Sequence, residues 1–123
     1  MSKVFKLFVA SIIAIFAVTS LAACSTSEPI DMTKITSVID VRTAGEYSTG
    51  HLDGALNIDI QGNDFAAEIQ KLDHAGNYVV YCHSGNRAGQ AVSYMKDNGF
   101  TGELTNAGGV DDASSATGIS IVQ

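Results

Sequence analysis

The chain has 123 residues, 46% of them apolar, with 7 basic against 13 acidic side chains, one proline, two cysteines and no tryptophan. That length holds one small domain and little else. A formal charge of −6 excludes the general phosphate-attracting surface that binds nucleic acid, so any anionic ligand must be held by a local device.

Met1 to Lys6 carries two lysines, Leu7 to Val18 is almost wholly apolar, and Thr19 to Cys24 ends in small residues, which is the layout of a secretory signal peptide over residues 1–23. The apolar run, about a dozen residues, falls short of the ~20 that span a bilayer. Leu21-Ala22-Ala23-Cys24 resembles a bacterial lipobox, which implies lipidation at Cys24 and membrane anchoring through several acyl chains at one site. Cleavage after the small residues, leaving a free Cys24, is the rival reading. Residues 24–33 then form a tether, and the protein is expected in a bacterial cell envelope, facing the periplasm. Ser25 after the cysteine favours the outer membrane where there is one. With Cys24 lipidated, Cys82 is the only thiol left, and a lone thiol in an oxidising compartment is a hazard unless it is buried or used. Loss of Lys3 and Lys6 with the leader makes the mature chain more acidic still.

The domain is expected over residues 34–113. Ser37 to Val41 reads as a buried strand, and Thr43-Ala44-Gly45-Glu46 fits a capping box opening a short helix. Ala55 to Ile58 is a second strand candidate, and Phe65, Ile69 and Leu72 mark a helix over Asp64 to Leu72. Tyr78 to Cys82 is a continuous apolar run suited to the centre of a parallel sheet. Ala88, Ala91, Val92 and Met95 recur at helical spacing before an Asn98-Gly99 stop. A further strand is expected at Glu103 to Thr105. Residues 114–123, small and polar apart from Ile119 to Val122, read as a loosely ordered tail. The alternation implies an α/β fold with a small, mainly parallel sheet and helices on both faces.

Ligands of open α/β sheets bind at the carboxyl ends of strands, and Cys82 ends the most buried strand candidate. His83-Ser84-Gly85-Asn86 follows it, with a helix starting near Arg87. The sulfur therefore sits over loop amides at a helix N-terminus, two features that lower a thiol pKa. A cation in the first helical turn is disfavoured by the helix dipole, so an anion is expected beside Arg87.

Three stretches resemble the rhodanese family, in the form of a small single-domain member. Val38-Ile39-Asp40-Val41-Arg42, with Glu46-Tyr47 and Gly50-His51-Leu52-Asp53-Gly54-Ala55-Leu56-Asn57-Ile58, is similar to its opening. Val80-Tyr81-Cys82-His83-Ser84-Gly85-Asn86-Arg87-Ala88 is similar to its active-site strand and loop, and Asn106-Ala107-Gly108-Gly109-Val110 to its closing turn. The resemblance runs from Ile35 to Asp112. It implies a thiosulfate sulfurtransferase in which Cys82 attacks the outer sulfur of thiosulfate, sulfite leaves, and cyanide or a thiol removes the sulfur from a Cys82 persulfide. Amides of His83, Ser84, Gly85, Asn86 and Arg87 would hold the persulfide, and Arg87 would orient the sulfonate end. Asp40, Arg42 and Glu46 are expected as a structural ion-pair network beside the site and His51 as a structural histidine, while His83 either tunes the thiolate or only donates its amide.

No cofactor is implied, and the adjacent Cys82-His83 pair, with no second ligand pair, is poor chelating geometry for zinc. The expected partners are a small sulfur donor, a thiol or cyanide acceptor and, through Cys24, a membrane; a monomer is expected. A non-catalytic sulfide or persulfide carrier is the alternative. Cell-division-cycle phosphatases and the arsenate reductases built like them separate cysteine from arginine by five residues, whereas four lie between Cys82 and Arg87.

Overall fold

The computed structural model describes residues 28–123; the expected signal peptide and Cys24 lie outside the described residues. A 3₁₀ turn at Met32–Lys34 leads into β1 (Ser37–Asp40), α1 (Ala44–Ser48), β2 (His51–Leu52), β3 (Leu56–Asn57), α2 (Phe65–Gln70), β4 (Tyr78–Tyr81), α3 (Asn86–Asp97), β5 (Leu104–Asn106), α4 (Val110–Thr117) and β6 (Ile121–Val122). The main sheet has the order β3-β1-β4-β5. All its pairings are parallel, with Ile39 beside Leu56 and Val80, and Val80 beside Asn106.

Alternation along the two central strands divides the core. Ile39, Tyr78 and Val80 face a cluster with Phe65 and Ile69 of α2 and Ala88, Ala91 and Met95 of α3. Val38, Val79 and Tyr81 face the opposite cluster with Leu52, Ala55 and Ala113 of α4. Side chains leave a strand on alternate faces, so β1 and β4 must be apolar throughout, and helices cover both sides as expected.

Local signals account for the helix ends. The Thr43 hydroxyl accepts from the Glu46 amide at 3.2 Å, as the capping box requires, and Asn98 closes α3. The C-terminal residues depart from expectation. The stretch read as a loose tail is ordered: its first four residues complete α4, which runs to Thr117, and Ile121–Val122 form β6, which pairs antiparallel with β2, placing His51 opposite Val122 and Leu52 opposite Ile121. Small alanines docking on the sheet and main-chain pairing to a two-residue strand hold it, with Ile30 N–H bonded to Ala116 C=O at 2.8 Å.

The parallel strands bring their carboxyl ends to one rim. Asp40, Asn57, Cys82 and Asn106 end or follow β1, β3, β4 and β5 there.

Candidate active site

Cys82 is the first residue beyond β4 and is fully buried. Its own amide donates to the Gly108 carbonyl at 3.0 Å, which ties the start of the loop to the turn after β5. The chain then bends through Gly85, at φ +93°, into the first turn of α3. A glycine is required at this bend, because left-handed backbone is costly for other residues, and a Cβ would also sit 3.3 Å from the Gly108 Cα.

The bend turns amides inward. Gly85 N–H donates to the Cys82 Sγ at 3.0 Å. Burial pushes the thiol pKa up, but the amides of Ala88, Ser84, Gly85 and Arg87 act against it and leave it below its ordinary value. These donors stabilise negative charge on sulfur without carrying a formal charge themselves. The shell differs slightly from the His83-to-Arg87 expectation: it extends to Ala88, while the His83 side chain stands exposed and the His83 carbonyl packs where a Cβ on Gly109 would have to go.

The charged residues form two separate pairs rather than one network. Arg42 binds Asp40 through Nε and Nη2, the shortest contact being 2.7 Å, and its Nη2 also donates to the Gly50 carbonyl at 2.6 Å. Both residues are buried, and the Arg42 guanidinium lies 5.8 Å from the centre of the Tyr81 ring. Asn57 adds bonds from its amide to the Asp40 and Arg42 carbonyls. This pair therefore fastens the β1–α1 corner to β2 and β3. Glu46 instead pairs with Arg87: Nη1 and Nη2 each reach a carboxylate oxygen at 2.9 Å, and Arg87 holds the Glu46 carboxyl down at about 2. The anion expected beside Arg87 is thus the chain's own carboxylate. Arg87 also lies within the electrostatic reach of Cys82 and Asp59. The His51 ring stacks on that of Tyr47, with centroids 3.6 Å apart, and its Nδ1 lies 2.9 Å from the Tyr47 carbonyl.

One residue of the site was not singled out from the sequence. The Asn106 amide donates from Nδ2 to the Gly85 carbonyl at 2.8 Å and accepts at Oδ1 from Gly108 N–H at 3.0 Å. It clamps the tip of the cysteine loop to the Gly-Gly turn. The available signal was its position two residues before a glycine turn, where asparagine commonly bonds the backbone two residues on.

A sequence profile of the rhodanese-like domain matches residues 25–116. The chain is 34% identical over 74 residues to "Thiosulfate sulfurtransferase PspE" of Escherichia coli strain K12, covering 60% of this chain and 70% of that protein. It is 30% identical over 87 residues to "Thiosulfate sulfurtransferase GlpE" of Shewanella oneidensis, covering 69% and 84%. A solved structure described as a rhodanese with anions from E. coli superposes with a TM-score of 0.57 at 30% identity, over 71% of this chain and 96% of that one. A buried cysteine ringed by amides at the carboxyl end of a parallel sheet, together with these likenesses, establishes that the chain belongs to the rhodanese-like domain family.

Proposed function

We propose that this domain is a thiosulfate sulfurtransferase that carries sulfane sulfur as a persulfide on Cys82. The observation that carries the reading is the convergence of the Ser84, Gly85, Arg87 and Ala88 amides on the Cys82 sulfur. In the first half-reaction the Cys82 thiolate attacks the outer sulfur of thiosulfate. A new S–S bond forms, the bond to the sulfonate sulfur breaks, and sulfite departs with that electron pair. The outer sulfur then bears the negative charge, which the loop amides hold in a preorganised shell. Arg87 is fixed by Glu46 through one N–H of each Nη, which leaves Nε–H and two Nη–H for the sulfonate oxygens. In the second half-reaction cyanide or a thiolate attacks the outer sulfur and the electron pair returns to Cys82. The named sulfurtransferase relatives support this substrate class.

Formation of thiocyanate from thiosulfate and cyanide tests the reading. We expect turnover in the wild type and none in Cys82→Ser, and full activity in the serine variant would overturn the mechanism. A persulfide carrier without catalytic activity would instead take up sulfur only from a partner and show no turnover with free thiosulfate.

The sequence of the leader supports a lipid-anchored protein of the bacterial envelope, attached through Cys24, facing the periplasm, on the outer membrane where one exists. Among the described residues no helix is long and apolar enough to cross a membrane. Intact mass of protein extracted from membranes tests the anchor: the mass of a chain beginning at diacylated Cys24 is expected, and an unmodified chain in the soluble fraction would refute it.

A further inference from the structure

The chain enters the domain beside the cysteine loop. Thr36 N–H donates to the Asn77 carbonyl at 2.7 Å, at the amino end of β4. Going back from there, Ile35, Met32 and Ile30 pack on the core cluster that α4 covers, and the bond from Ile30 N–H to Ala116 C=O fixes the segment against the last turn of α4. Glu28 then shares one groove with Ser84, Gly85, Asn106 and Gly108. The segment thus climbs from the amino ends of the strands to their carboxyl rim, and residue 28 leaves the fold next to the loop that holds the sulfur. His83, Ser84 and Asn86 of that loop are exposed, as is Glu28, so loop and exit point share one open surface.

Only Ser25, Thr26 and Ser27 separate Glu28 from Cys24. Four residue steps reach at most about 14 Å when fully extended, whereas a domain of this size is roughly 30 Å across. A chain anchored at Cys24 therefore cannot turn its exit point to the side of the domain away from the membrane. The rim that carries the loop is held near the headgroups, within about two Debye lengths at physiological salt. An anionic leaflet depletes a dianion about tenfold at its surface, and the depletion fades over that same distance. A donor without net negative charge meets no such barrier.

We propose that the three-residue tether holds the cysteine loop at the bilayer surface, so that anionic headgroups regulate which sulfur donor reaches Cys82, disfavouring dianionic thiosulfate and favouring a neutral or cationic persulfide. The inference rests on the lipid-anchor reading above and adds a regulation to the sulfur-transfer one.

The test uses the lipidated chain in vesicles of phosphatidylcholine alone and of about nine parts phosphatidylcholine to one of phosphatidylglycerol, at an ionic strength of about 0.05 M, where the Debye length is about 14 Å. A second chain carries a Gly-Ser spacer of about forty residues between Ser27 and Glu28, which adds roughly 35 Å of reach. The readout is the ratio of the Cys82 alkylation rates with iodoacetate, a monoanion, and with neutral iodoacetamide. Both reagents attack the same thiolate, so any change of thiol pKa or of local pH cancels in the ratio. With the native tether the ratio should fall about 1.5- to fourfold on going to the anionic vesicles, and kcat/KM for thiosulfate by roughly the square of that factor, since a dianion feels the potential twice. With the long tether the ratio should stay within about 1.2-fold, and physiological salt should shrink the effect in the native chain. An unchanged ratio with the native tether, or an equal fall with both tethers, would overturn the inference. Intact mass separates the causes: a chain without acyl groups on Cys24 overturns the anchor reading together with this one, whereas an acylated chain with an unchanged ratio overturns this one alone. Absence of thiocyanate formation beside the expected fall in the ratio would refute sulfur transfer and leave the loop at the membrane surface.

Discussion

Replacing Glu46 with glutamine removes one charge while keeping the side chain's shape and one acceptor for Arg87. In the wild type both carboxylate oxygens accept from Arg87 at 2.9 Å. The two side chains are 36% and 22% exposed, so solvent screens the pair, and a two-bonded pair in that setting contributes about 1 kcal/mol. For a domain of this size that is roughly 4–8 °C in Tm. The pH dependence follows from the carboxyl, which Arg87 depresses to about 2 from an ordinary 4.5. A depressed folded-state value means that the contribution is full above the unfolded value and is lost as the pH falls through the folded one. Thermal unfolding followed by circular dichroism at several pH values should show the variant less stable at pH 7, with the gap narrowing below about pH 4 and closing by about pH 2. High salt at pH 7 should narrow it as well. A gap of the same size at every pH would mean that the glutamine acts through packing or capping, and would refute the ion-pair reasoning.

Other perturbations separate the loop from its scaffold. Gly85→Ala forces a side chain onto left-handed backbone at φ +93° and toward the Gly108 Cα; turnover should fall at least about tenfold as the amide shell shifts, with a native circular dichroism spectrum, and unaltered turnover would contradict the assigned geometry. The alkylation rate of Cys82 against pH should show a midpoint below the ordinary 9.0 for a thiol, moving upward in Asn106→Ala as the clamp on Gly85 is lost; an unmoved midpoint would remove Asn106 from the positioning residues. Tyr81→Phe takes the acceptor away from the buried Leu52 amide, which now donates to the Tyr81 hydroxyl at 3.0 Å. Stability in urea should drop by about 1–3 kcal/mol with sulfur transfer nearly intact, and an unchanged unfolding midpoint would contradict this role.

Much of the fold was legible because its central elements carry period and composition together. Tyr78 to Tyr81 could be read as a central strand since both faces of β4 are covered, and α3 shows its buried stripe at Ala88, Ala91, Val92 and Met95. The C-terminal segment was opaque for the opposite reason. The buried positions of α4 are two alanines among serines, aspartates and a threonine, too small to mark a face, and β6 gains its order by pairing with β2 across most of the chain.

The site divides along the same line. Cys82, its loop and the basic residue after it could be read locally, because strand, glycine bend and helix are contiguous. The partners could not. Glu46 and Arg87 are 41 residues apart, and nothing in the spacing of Asp40, Arg42 and Glu46 says that Arg42 takes Asp40 and leaves Glu46 to Arg87. Asn106 acts on the loop from β5, a contact that exists only once β4 and β5 are aligned.

The most direct measurement of the central claim is the intact mass of the purified domain after incubation with thiosulfate and removal of excess reagent. The wild type should gain about 32 Da, one sulfur atom on Cys82, and lose it on addition of cyanide with one equivalent of thiocyanate formed. Cys82→Ser should gain nothing. A wild-type chain that turns over thiosulfate without ever carrying the extra sulfur, or a serine variant that carries it, would contradict transfer through a Cys82 persulfide.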